Sequence, residues 1–156
     1  MYRKKEIITV IILIVVMLSL VVLFQFWHNT RPIVQGKTEN VVIDIGESSK
    51  FSVEEIKAAM DLVIEKFSDY YYCELTELWY NEMQSEKEII EWYMVSGRGS
   101  INGAMQENVI VLHSNFSTGA RSGDYGFSPG SRYEDWNWIL IRQTKNSPWA
   151  IDDWGY

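Results

Sequence analysis

The feature that most constrains this chain is an uncharged run from Ile7 to Trp27, in which only Thr9, Ser19 and Gln25 are polar. As a helix rising about 1.5 Å per residue, this run is about 31 Å long, which matches the hydrocarbon core of a bilayer. A helix that is apolar on every side is also unsuited to the half-exposed surface of a soluble domain. The sequence therefore predicts a transmembrane helix over residues 7–27.

The residues around the run predict its orientation. Arg3, Lys4 and Lys5 precede it, and short segments rich in Lys and Arg stay on the cytoplasmic side of a membrane. We therefore expect residues 1–6 to form a cytoplasmic tail and the C-terminal part to lie outside the cell. The run is longer than the apolar core of a signal peptide, about 7–15 residues, and no small-residue cleavage site follows it. This favours an uncleaved signal anchor of a single-pass protein in the cell membrane.

The composition beyond the run is that of one folded, acidic domain. The chain of 156 residues is 47% hydrophobic and 14% aromatic, and six of its seven Trp lie beyond the run, which supplies a core for one domain but not two. The net charge is −7 and the first six residues carry +2, so the remainder carries −9. Such a domain is not expected to bind nucleic acid, whose phosphates require a basic surface.

The only cysteine, Cys73, excludes an intramolecular disulfide. It follows three tyrosines, Tyr70 to Tyr72, in an apolar stretch. A thiol in such surroundings is typically a buried packing residue rather than a nucleophile.

The periodicity along the rest of the chain predicts an α+β domain. Residues 28–50 are rich in turn formers and are expected to be a tether, with 41–43 either a strand or a contact against the domain. Ser52 and Glu55 form a capping box before an amphipathic helix at 53–67, and Ser85 and Glu88 form a second one before a helix that ends near Tyr93. Four segments have the composition of strands, namely 73–80, 108–116, 136–143 and 149–154.

The order of these elements, helices first and a three-strand meander last, favours two helices on one face of a curved antiparallel sheet of about four strands. The expected organisation is a cytoplasmic tail at 1–6, the transmembrane signal anchor at 7–27, the tether at 28–50 and an extracytoplasmic α+β domain at 51–156.

Several motifs of this domain resemble a known family. The segments CELTELWY (73–80), NVIVLHSNF (108–116), WNWILIR (136–142) and the terminal DWGY (153–156) are similar to the DUF4829 type, extracytoplasmic domains of Gram-positive bacteria with no known activity. The resemblance covers about Phe51 to Tyr156 and implies no site residues. The order of a helix followed by a meander is also similar to NTF2-like domains, as an analogy of fold only.

Two sets of residues are candidates for ligand or metal binding. Because a strand lined with aromatic side chains can stack sugar rings or grip a peptide, the first set is Trp79, Tyr133, Trp136, Trp138 and Trp154. The second consists of acids that flank a long loop, whose oxygen atoms suit Ca²⁺, namely Asp124, Glu134 and Asp135. Core packing of the aromatic residues remains the alternative for the first set.

Three further expectations concern single strands. His113 shares a strand face with Val109 and Val111, which favours a packed histidine over a general base. On a regular last strand, Asp152 and Asp153 point to opposite faces, and so do Trp149 and Trp154. No catalytic residue and no cofactor is indicated.

The sequence therefore favours a non-catalytic binding or interaction module of the bacterial cell envelope, with a partner in the membrane or the cell wall. The alternative is an NTF2-like pocket for cell-wall fragments, with catalysis left open. The pocket requires a cavity between helices and sheet, whereas an interaction module requires a filled core and an exposed apolar patch.

Overall fold

The chain consists of an N-terminal unit that ends at Ile33 and a compact unit from Val34 to Tyr156. The computed structural model describes residues 2–156, except for the side chains of Tyr2, Lys5, His28 and Asn29. Together the units form an apolar helix followed by an α+β fold, as the sequence predicts.

Helix α1 (Tyr2–Asn29) makes up most of the N-terminal unit. Its segment Glu6–Trp27 has 22 residues and a mean hydropathy of 3.4, and none of it is buried. A helix of this length and composition can cross a membrane, either as an anchor or as a signal sequence.

The compact unit is built on one five-stranded sheet in which the strands follow their order in the chain, β1-β2-β3-β4-β5. The first pair is parallel and the other three pairs are antiparallel. The α+β class is confirmed, but the expected number of about four strands is wrong, and the first pair is not antiparallel. The three-residue β1 is too short to show a period, and it is parallel to β2 because a helix connects the two. The strands are β1 (Val42–Asp44), β2 (Cys73–Trp79), β3 (Val109–Thr118), β4 (Arg132–Ile141) and β5 (Ala150–Gly155).

The segment predicted as a tether, 28–50, is part of the compact unit from Val34 onward. The amide of Tyr72 donates to the carbonyl of Val34 at 2.9 Å, and that of Leu75 donates to the carbonyl of Lys37 at 2.9 Å. The compact unit therefore begins about seventeen residues before Phe51, the predicted start of the domain.

Helix α2 (Val53–Phe67) has the bounds that the sequence predicts, and its capping box between Ser52 and Glu55 is present. It covers the sheet face that presents Ile110 and Leu112, here named the α2 face. The main core fills the space between them, with five buried helix residues against the strands, Ile56, Ala59, Met60, Val63 and Phe67.

The second helical segment lies on the opposite face of the sheet, here named the α3 face. Helix α3 (Glu82–Glu88) continues as a π-helical turn (Ile89–Tyr93), and α4 (Gly99–Asn102) follows. Ile89 and Tyr93 pack on Val109 and Val111, which alternate along β3 with the residues of the α2 face. The expectation of helices on a single face is therefore wrong.

The start of α3 also differs from the prediction. Asn81 caps the helix by accepting a hydrogen bond from the amide of Gln84 at 3.0 Å, so Ser85 lies inside the helix. There the Ser85 hydroxyl accepts the amide of Val111 at 3.0 Å. The pairing of β2 with β3 ends at Trp79 and His113, so the amide of Val111 has no acceptor on β2. The Ser85 hydroxyl is its acceptor instead.

Replacement of Ser85 by Ala removes the acceptor for a fully buried amide, so we expect the free energy of unfolding to fall by about 1–3 kcal/mol. Ser96→Ala makes the same chemical change at an exposed hydroxyl and should shift it by less than about 0.5 kcal/mol. Urea unfolding followed by tryptophan fluorescence measures both. Equal effects would show that the Ser85 contact contributes nothing.

Glu82, in the first turn of α3, binds the segment that precedes α2. Its carboxylate accepts hydrogen bonds from the hydroxyls of Ser48 and Ser49, each at 2.6 Å, and from the amide of Ser49 at 2.6 Å. These bonds stabilise the ionised carboxylate and lower the pKa of Glu82 from its ordinary 4.5 to about 2.

The pKa of Glu82 predicts an acid-dependent step in stability. Because the folded chain holds the carboxylate ionised, its contribution is complete above pH 4.5 and is lost as the pH falls from 4.5 toward about 2. The melting temperature of the wild type should therefore decrease as the pH falls from 4.5 toward about 2. In Glu82→Gln the part of this decrease that Glu82 causes should disappear. Glu39→Gln, at an exposed carboxylate, should retain it. Parallel curves for the wild type and Glu82→Gln between pH 5 and pH 2 would contradict the account.

Candidate interaction surface

Six large apolar side chains are exposed within one short part of the chain, 83–105. The least covered are Ile101, with 86% of its surface exposed, Met83 with 80% and Val95 with 69%. We name this group the 83–105 surface, and it consists of Met83, Ile90, Trp92, Val95, Ile101 and Met105.

The π-helical turn contains two of these residues, Ile90 and Trp92. The amide of Met94 donates to the carbonyl of Ile89, five residues back, at 2.9 Å. This wider turn directs Ile89 and Tyr93 into the small core on the α3 face, where both are fully buried. Ile90 and Trp92 lie between them in the chain and remain on the outside.

A polar network around Asp152 fixes the C-terminal half of this surface. The Asp152 carboxylate accepts a hydrogen bond from the Tyr93 hydroxyl at 2.7 Å and from the Asn102 side-chain amide at 3.1 Å, and the Arg98 guanidinium lies 3.4 Å away. Burial, and secondarily Asp152, raises the pKa of the Tyr93 hydroxyl. The network therefore attaches the α4 segment to β5 and leaves Ile101 outside.

An open cleft of about 570 Å³ adjoins the surface at Met105. It lies between residues 102–105 and the hairpin that joins β4 to β5. Its lining combines Ala104, Met105, Ile141, Pro148 and Ala150 with the polar residues Asn102, Gln143 and Ser147, and it also includes Gly103 and Arg142.

Arg142 is not available as a charge for a ligand in this cleft. Its guanidinium contacts Glu55 at 2.5 Å and lies over the ring of Trp149, 4.4 Å from the centroid. The cleft therefore offers apolar side chains and uncharged amide or hydroxyl groups.

The predicted aromatic ligand residues do not line a common pocket. Trp138 is fully buried on the α2 face, where its indole N–H donates to the Ser114 hydroxyl at 2.8 Å. Tyr133 and Trp136 lie on the same face in an aromatic cluster with Phe116. Three of the five residues thus pack against or within the main core.

The other two aromatic residues lie apart from this cluster. Trp154 is 45% exposed, and the Lys66 ammonium of α2 lies 5.3 Å from its ring centroid. Trp79 lies on the α3 face and stacks on His113 at 5.7 Å. Core packing is therefore the main role that the geometry assigns to the set.

A bulge at Asp152 changes the expected orientations on β5. Ile151 pairs with Leu140 and Asp153 pairs with Ile139, so Asp152 is the extra residue. As a result Trp149 and Trp154 both contact α2, through the carbonyl of Glu55 and through Lys66. The prediction that these two tryptophans lie on opposite faces is wrong, because it assumed a regular strand.

The acids predicted as calcium ligands are held in separate local contacts. Asp124 pairs with Arg121 at 3.5 Å, and Glu134 pairs with Arg132 at 3.0 Å. Asp135 has a positive φ of 53°, and its amide donates to the side-chain oxygen of Asn115 at 3.0 Å. Among the described side chains, no three His, Cys, Asp or Glu are arranged to hold a metal ion, so the geometry gives the calcium hypothesis no support.

The two remaining groups that carry chemistry are both buried. Burial raises the pKa of the Cys73 thiol to about 11, which disfavours the reactive thiolate. His113 is only 3% exposed, and neither ring nitrogen has a hydrogen-bond partner among the described residues. Burial lowers the pKa of His113, with Asp135 and the opposite Asn137 acting in the other direction.

The lowered pKa of His113 predicts a loss of stability in mild acid. As the pH falls below the ordinary value of 6.5, unfolded chains bind a proton that the folded chain excludes, so folding becomes less favourable. His113→Phe keeps a ring against Trp79. It should make the melting temperature less dependent on pH between pH 7.5 and pH 5.5. His28→Phe, which removes the only other histidine, should leave the slope unchanged. A slope retained in His113→Phe would contradict this assignment.

Sequence reasoning did not identify the 83–105 surface. The predicted helix that ends near Tyr93 assumes a normal helical period, which the π-helical turn does not have. The signal available was the number of its apolar residues, six large ones among three glycines, Gly97, Gly99 and Gly103.

Comparison with known proteins identifies most of the compact unit. A family model described as "Domain of unknown function (DUF4829)" matches residues 49–155, which is more than two thirds of the chain. The match includes α2, the strands β2 to β5 and the whole 83–105 surface. No curated protein and no solved structure matches the chain.

Proposed function

The chain belongs to the DUF4829 family of unknown function, and we propose that it is a membrane-anchored, non-catalytic interaction module of the bacterial cell envelope. In this proposal helix α1 is an uncleaved anchor with its N-terminus in the cytoplasm, and the compact unit lies outside the cell. The basic residues Arg3, Lys4 and Lys5 lie at the N-terminal end of α1, before its apolar segment, and they support this orientation.

The single observation that supports interaction best is the 83–105 surface. Exposed apolar side chains that occur singly are ordinary, whereas large apolar patches mark contact sites, and six exposed apolar side chains lie within residues 83–105. The group includes a tryptophan and two methionines, and aromatic residues and Met are enriched in protein interfaces. Its exposure is not a sign of a poorly packed unit, since Ile89 and Tyr93 beneath it are fully buried.

The filled core favours this function over an internal ligand pocket. Large side chains occupy the space between α2 and the sheet, and Trp138, Phe67, Phe116 and Leu112 are fully buried there. A pocket of the NTF2-like kind would need that space to be open.

The open cleft at Met105 supports one alternative, the binding of a small ligand such as a cell-wall fragment. Its volume of about 570 Å³ is in the range of ligand sites. Its described lining contains no Trp or Tyr on which a sugar ring could stack. A protein side chain is therefore the better occupant.

Site-specific photocrosslinking of the full chain in cells tests the proposal. With a benzophenone amino acid at Trp92 or Ile101, we expect a discrete adduct. At Asp61, an exposed position on α2, we expect none. Adding Val95→Ser and Met105→Ser should reduce the adduct at Ile101, because both remove apolar contact area from the same surface.

The pattern of adducts separates the alternatives. An adduct of twice the chain's mass identifies a second copy as the partner. No adduct at Trp92 or Ile101, or equal adducts at all three positions, would contradict an interaction surface at 83–105.

A further inference from the structure

We propose that the partner of the 83–105 surface is a basic, amphipathic protein segment that inserts one apolar side chain into the cleft at Met105. This inference rests on the proposed function and specifies the chemistry of its partner.

The charge of the compact unit favours a basic partner. Residues 1–33 carry +3 and the whole chain carries −7, so the compact unit carries −10. A protein surface of this sign attracts cationic partners and accelerates their association.

Two acidic residues without a basic partner lie in the same part of the chain as the exposed apolar residues. Glu88 and Glu91 flank the pair Ile89 and Ile90 in the chain, and neither forms an ion pair within the described part of the protein. Of the basic residues in 83–105, Arg98 is already paired with Asp152 at 3.4 Å, which leaves Lys87. An apolar surface with unpaired carboxylates fits a segment in which Lys or Arg accompanies the apolar residues.

The cleft adds a place for an anchor. Met105 belongs to both the surface and the cleft lining, so one partner segment can contact both. The floor and walls are apolar at Ala104, Ile141 and Pro148, and the adjacent Asn102 and Gln143 can bond to a partner's backbone. Interfaces typically concentrate their binding energy in a few side chains held in well-packed pockets.

The same charges disfavour two other occupants of an apolar surface. A second copy of the chain would bring another unit of charge −10 and would place Glu88 and Glu91 opposite further acids. A lipid surface offers an anionic or zwitterionic layer, which does not compensate carboxylates at its contact. Both remain distinguishable outcomes of the experiment.

The experiment uses the full chain in zwitterionic nanodiscs and a labelled Leu/Lys peptide of about 18 residues, which forms about five helical turns with one apolar face. Fluorescence anisotropy measures the Kd, with empty nanodiscs as the background. We expect saturable binding of this peptide and none of a Leu/Glu peptide with the same pattern. A scrambled Leu/Lys peptide of equal composition should bind at least about tenfold more weakly, because its apolar residues no longer share a face.

Two matched pairs of variants localise the binding. Glu88→Lys with Glu91→Lys should weaken binding at least about tenfold, whereas Asp61→Lys with Glu65→Lys makes the same change of net charge on α2 and should have a much smaller effect. Ala150→Phe places a ring in the cleft and should weaken binding of the Leu/Lys peptide. Lys57→Phe, at an exposed position of α2, should leave binding unchanged.

Equal losses in the two charge-reversed variants would show unspecific attraction and overturn the proposal. Retained binding in Ala150→Phe would overturn the assignment of the anchor to the cleft. If two chains pair without the peptide, the occupant is a second copy. If the peptide binds empty nanodiscs and the chain does not increase this binding, the occupant is lipid.

If photocrosslinks form at Ile101 while the Leu/Lys peptide fails to bind, the partner chemistry is wrong and the interaction function stands. If both fail, the function itself is wrong.

Discussion

The structure depends on the double-sided packing of strand β3. Ile110 and Leu112 enter the main core against α2, while Val109 and Val111 enter the smaller core against Ile89 and Tyr93. All four residues are fully buried. Because side chains alternate along a strand, a single central strand holds a helical layer on each face of the sheet. The 83–105 surface exists only as the outer side of the second layer.

The sequence is a good guide where one physical signal dominates. The bounds of α2 follow from its capping box and its periodic apolar residues, and Ser52 and Glu55 form the predicted contacts. The apolar run before residue 28 identifies α1 by length alone. The motifs CELTELWY and NVIVLHSNF lie on β2 and β3, and the resemblance that rests on them agrees with the family match over residues 49–155.

The sequence fails where local patterns compete with tertiary contacts. Ser85 and Glu88 have the spacing of a capping box, but Ser85 instead accepts the amide of Val111. Strand β1 has three exposed residues and belongs to the sheet only through its pairing with β2. The bulge at Asp152 cannot be inferred from alternation, and it turns the carboxylate toward Tyr93. The part of the candidate surface at Ile90 and Trp92 lies in a π-helical turn, whose period differs from that of the predicted helix.

Recognition by the outer side of the α3 face can be tested with one experiment in intact cells. Cys73 is buried, so a single added cysteine can be labelled with a membrane-impermeant maleimide without background. We predict that Asp61→Cys is labelled in cells, and that Ile101→Cys is protected in cells but labelled in the purified full chain. Labelling of Ile101→Cys in cells as fast as Asp61→Cys would contradict a docked 83–105 surface.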